Sequence, residues 1–114
     1  MALGMIEVYG FTTAIVVADC VAKTADVKLV AIDKNKPANG DSAEVPLVMI
    51  VKFEGAVSAV EEAMNAGSAE ARKRGLYITS KMISRQSDDI EWFAHLSALG
   101  KDKLREKKSV KNKK

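Results

Sequence analysis

The sequence predicts an α+β domain in the order βαββαβ, and three patterns predict it. Four apolar segments have strand length, and two intervening stretches carry apolar residues at helical spacing. Glycines punctuate the joins at Gly10 and Gly75. The 114 residues suit one domain, and 47% apolar content marks a folded chain able to bury a core.

Residues 3–9, LGMIEVY, read as the first strand, with Leu3, Met5, Glu7 and Tyr9 on one side and Gly4, Ile6 and Val8 on the other. Residues 12–25 read as a helix capped by Thr12 or Thr13. Its apolar face is Ala14, Val17, Ala18, Val21, Ala22 and Ala25, while Asp19 and Lys23 share another face four residues apart. Small side chains on that face let the helix lie close to a sheet.

Residues 27–33 form the second strand. A connection with Pro37, Asn39–Gly40 and Pro46 leads to a third strand at 47–53. The nearly unbroken apolar run LVMIVKF predicts burial on both faces and a central place in the sheet. Residues 56–74 form the second helix, with Val57, Val60, Met64, Gly67 and Ala71 inward and Glu70 placed to pair with Lys73 or Arg74. Gly75 stops it, and residues 76–83 form the fourth strand.

This order is the split βαβ, ferredoxin-like arrangement. Right-handed crossovers then place both helices on one face of a four-stranded antiparallel sheet. Beyond it, Asp88 and Glu91 suggest a capping box for a short helix with an apolar side of Ile90, Trp92, Phe93, Leu96 and Leu99, ended by Gly100. The expected organisation is a domain over 1–87, a short helix over 88–100 and a basic tail over 101–114.

Charge divides along the chain. Residues 101–114 hold eight Lys/Arg against two Asp/Glu, so the tail carries +6 and the remaining body −3. Such a tail reads as a solvated, disordered end, or as a contact for an acidic partner or a nucleic acid. No apolar run reaches membrane-spanning length, and MALGMIEVYG lacks the layout of a secretory signal. The single cysteine, Cys20, excludes an internal disulfide and fits a reducing compartment.

Catalytic patterns are missing. There is no glycine-rich phosphate loop, and His95 is the single histidine, so no histidine pair can hold a metal. Cys20 sits among Ala and Val as a buried thiol, and Glu61 and Glu62 point in different directions. Neither a cofactor nor a metal is expected. Tyr9, Phe53 and Tyr77 are scattered rather than clustered as an RNA-binding sheet requires.

The opening ALGMIEVYG resembles the first strand of single-domain microcompartment shell proteins, the tiles of carboxysomes and of propanediol- and ethanolamine-utilising compartments. AIVVADCVAKTAD at 14–26 resembles their first helix, and 29–30 their second strand. EGAVSAVEEAMNAG at 54–67 resembles the family's G-x-V-x-A-V opening and D-A-G close, and MISR at 82–85 its V-I-P-R. The resemblance covers about residues 2–92.

It implies a structural protein, not an enzyme: a cyclic homo-hexamer that tiles with other shell proteins in a compartment shell in the cytoplasm. It places Lys23 and Asp26 at the hexamer edge and sends Arg85 into a pocket of the adjoining hexamer. Asp26 stands where the family often has Asn, Asn65 replaces the Asp of D-A-G, and Ser84 and Gln86 replace prolines beside the arginine, which loosens the backbone there. The family's short K-I-G-x-G loop lines a central pore. Here the connection at 33–46 is longer, and Asn39, Gly40, Asp41 and Ser42 are the expected pore-lining residues through which small metabolites pass. The set Trp92, Phe93, Leu96 and Leu99 either packs on its own subunit or docks encapsulated enzymes or a neighbouring shell protein. The alternatives are an oligomeric ferredoxin-like ligand-binding or regulatory protein, and a nucleic-acid-binding module using the tail.

Overall fold

A computed structural model describes residues 1–35 and 48–96. The strands are β1 (Ala2–Tyr9), β2 (Val27–Asn35), β3 (Val48–Gly55) and β4 (Tyr77–Ile83), and the helices α1 (Phe11–Thr24) and α2 (Val57–Lys73). After β4 come a 3-10 turn at Asp88–Ile90 and a one-turn helix, α3 (Glu91–Ala94). The predicted order βαββαβ is the order found.

The sheet order is β2-β3-β1-β4, with every neighbouring pair antiparallel. The central placement of β3 follows from its composition. It is buried on both faces and is paired on both sides, by β2 and β1. Ile6, Val8, Met49, Val51 and Phe53 face α1 and α2 and close the core with Ala14, Val17, Val21, Val60, Ala63 and Ala71. Helix–helix contact is tight because small residues line it. A Cβ added at Gly67 would lie 2.6 Å from Ile6 Cδ1 and 2.8 Å from Val21 Cγ2.

The register gives the sheet two distinct ends. Val27, Gly55, Ala2 and Ile83 mark one end, and Asn35, Val48, Tyr9 and Tyr77 the other. Eight-residue strands separate the two ends by about 23 Å at ~3.3 Å per residue. The sheet's second face carries the alternate residues, including Leu3, Met5, Glu7, Lys52 and Glu54.

Helix α2 ends as predicted. Gly75 N–H donates to Arg72 O at 2.9 Å and Leu76 N–H to Ala71 O at 3.1 Å, which caps the last carbonyls. Arg74 is the partner of Glu70, at 3.0 Å.

Three local expectations need correction. Helix α1 has no threonine cap. It starts at Phe11 behind Gly10, whose φ of 88° suits glycine, with no side-chain cap. Ala22 and Val57 were expected inward, yet both are exposed, with Ala22 one step round from the buried arc of Ala14, Val17, Ala18 and Val21. The final turn is capped by Ser87, not Asp88: Asp89 N–H donates to Ser87 Oγ at 3.1 Å. Of the apolar side expected for this turn, Trp92 is 68% and Leu96 47% exposed. Leu99, Gly100 and the 101–114 tail lie outside the described residues.

Candidate functional site

The residues expected at the subunit edge gather at one end of the sheet. Lys23 occupies the last turn of α1, and Asp26 the connection into β2, so both stand beside the start of β2. Arg85 follows the end of β4, at the same end of the sheet but on the opposite edge. Three strand spacings, about 14 Å, separate those edges. Lys23, Asp26 and Arg85 are all exposed.

Lys23 Nζ lies 2.8 Å from Asp19 Oδ2, the pair that the four-residue spacing anticipates. The hydrogen bond and charge of Asp19 raise the lysine pKa above 10.5, so the ammonium is held charged and its stem is aimed along α1. Arg85 makes no hydrogen bond or ion pair with the other described residues.

The backbone at Arg85 is anchored rather than loosened. Gln86 N–H donates to Met1 O at 3.3 Å, and the Gln86 side-chain amide donates to a carboxylate oxygen of Glu54. A proline at 86 could supply neither bond. The substitution therefore trades ring rigidity for two polar tethers.

Asn39, Gly40, Asp41 and Ser42 lie outside the described residues. The strand ends that lead to them are described: Asn35 and Val48 pair across β2 and β3 at the end of the sheet opposite Lys23 and Arg85.

Sequence reasoning missed a polar cluster on the second face. Lys52, in the centre of β3, has a side chain with no exposure. Its Nζ donates to Asp33 Oδ2 at 3.3 Å, Phe93 O at 2.7 Å and Leu96 O at 3.2 Å, and it sits 3.9 Å from the Phe93 ring centroid. Burial pulls its pKa below 10.5, outweighing the upward pull of Asp33. Two residues on, Glu54 is 7% exposed and meets Gln86 and, at 3.8 Å, His95 Nε2. The signal was present in the sequence. Two charges two apart in an otherwise apolar central strand share one face and must find partners there.

Among the described residues, no group of three or more His, Cys, Asp or Glu is placed to hold a metal, and no helix is long and apolar enough to cross a membrane. The cavity beside Glu54, lined by Met1, Gln86, Ser87, Asp88 and Glu91, has about 120 Å³. Typical small-molecule sites occupy roughly 300–1,000 Å³.

Comparison with known proteins gives the fold a family. The BMC domain matches residues 2–86. The microcompartment shell protein EutK of Salmonella typhimurium is 35% identical over 91 residues, which is 80% of this chain and 50% of EutK. The shell protein PduA of the same species is 38% identical over 90 residues, 79% of this chain and 86% of PduA. This chain thus spans about half the length of EutK and most of PduA. A crystal structure of a microcompartment protein from Desulfitobacterium hafniense superposes with a TM-score of 0.65 at 32% identity, covering 79% of this chain and 46% of that one. The chain belongs to the BMC-domain family of bacterial microcompartment shell proteins.

Proposed function

We propose that the chain is a shell tile: six copies close into a ring, rings meet edge to edge, and the β2–β3 connection lines the axis. One observation carries this reading. The sheet holds Lys23, Asp26 and Arg85 at one end and opens into the 36–47 connection at the other. A ring subunit needs that polarity, with one end at the axis and one at the rim. Members of this family oligomerise, and a cyclic ring repeats each edge contact identically.

At the rim, Lys23 is the compact charge and Arg85 the planar donor fork. Arginine suits a pocket on a neighbouring ring because its five donors find backbone carbonyls there. At the axis, Asn39, Gly40, Asp41 and Ser42 come nearest, and six copies of Asp41 bias the pore toward cations. The exposed Phe11 and Ile15 on α1 fit burial between subunits. Exposed Trp92 and Leu96 offer a surface for encapsulated enzymes, and residues 101–114 carry a strongly basic sequence.

The test is the pair Lys23→Ala and Arg85→Ala, examined by native mass spectrometry and negative-stain microscopy. Rings of six that no longer form sheets are the expected result. Sheets that persist in the double variant would remove these residues from the edge.

A further inference from the structure

We infer that Lys52 is the clamp that seats the C-terminal segment, residues 87–96, on the sheet face opposite the helices and ties it to the end of β2. The ammonium has three N–H donors, and each has an acceptor: Asp33 from β2, and the carbonyls of Phe93 and Leu96. The Phe93 ring closes over it at 3.9 Å. Lys23, Lys28, Lys34, Lys73 and Lys81 are exposed, so Lys52 is the buried lysine among the described residues.

The segment needs such a clamp. A 3-10 turn and a four-residue helix cannot hold themselves in water. Their apolar anchoring is modest, because Ala94 is buried while Trp92 and Leu96 stay exposed. Polar groups of β3 supply the rest. Lys52 takes two carbonyls at the far end of the segment, and Glu54 meets Gln86 just before it and His95 near its close.

Two consequences follow for the placement of the chain. The ammonium holds the end of the described segment through the Phe93 and Leu96 carbonyls. Asp33, held by the same ammonium, lies three residues before the 36–47 connection begins. Lys52 is thus a positioning residue for both, and this holds whether or not the ring reading above is correct.

Amine-reactive labelling of the intact wild-type protein, with peptide mapping, tests the burial. Lys52 should react at least about tenfold more slowly than Lys28 or Lys81. Phe93→Ala should bring its rate close to theirs with the protein still folded. In Lys52→Met, hydrogen exchange at the amides of Ile90, His95 and Leu96 should quicken about tenfold or more, while β1 and β3 amides keep their protection. Labelling of wild-type Lys52 as fast as Lys81 would overturn the inference, as would unchanged exchange across 90–96 in a folded Lys52→Met. If Lys52→Met fails to fold, the labelling comparison still decides.

Discussion

At Gly67 and Lys52 the surroundings leave little choice of side chain. Gly67 lets α2 meet α1 and β1, with Ile6 and Val21 where a side chain would go. Gly67→Val should therefore cost about 1–3 kcal/mol by overpacking, read as a lower urea midpoint. An unchanged midpoint would show that the contact yields freely. Lys52 makes a prediction in pH. Its folded-state pKa is lowered, so between that value and 10.5 the unfolded chain holds more protons than the folded one. The contribution of Lys52 to stability should rise as pH climbs toward 10.5, where an ordinary ion-paired lysine would begin to lose its own. The stability difference between wild type and Lys52→Met, followed by urea unfolding from neutral to alkaline pH, checks that sign. A difference that falls with pH would contradict it. At neutral pH, Lys52→Met should still cost about 1–3 kcal/mol, because Asp33 and two carbonyls lose their donor.

At the scale of elements, the C-terminal turn shows how a short structure survives. Ser87 caps it, and β3 grips it through Lys52 and Glu54. Ser87→Ala should loosen the turn by about 0.5–1 kcal/mol, visible as faster exchange at Ile90 without loss of sheet protection. The strands and long helices were legible because their apolar residues repeat with periods of two and 3.6. The position of β3 at the centre was legible from the same run. The cap was misjudged because Ser87, Asp88 and Asp89 are all good caps, and backbone geometry selects among them. For Trp92 and Leu96, the sequence left open packing on their own subunit or docking a partner, and both are exposed. A single turn has too few residues for a buried arc, and Ala94 fills the contact instead. The apolar strand around Lys52 marks a buried charge in the sequence, but its partners come from β2 and from a segment 41 residues later, which no local pattern names.

At the scale of the whole molecule, the antiparallel register is what links fold to function. It carries the 36–47 connection out of one end of the sheet and leaves Lys23, Asp26 and Arg85 at the other. The edge residues were named from the family resemblance, and the structure adds their common end. Asn39, Gly40, Asp41 and Ser42 were named in the same way and lie outside the described residues. If they line an axial pore, Asp41→Lys should reverse the charge preference of small ions crossing reconstituted layers, measured as the ratio of cation to anion flux. An unchanged ratio would move the pore lining to other residues.

The central claim is that this chain assembles as a six-fold tile, and its mass in solution tests that most directly. The monomer is 12.3 kDa, and native mass spectrometry should give a species six times heavier that forms sheets on concentration. A stable monomer, dimer or trimer that never forms a layer would contradict the account.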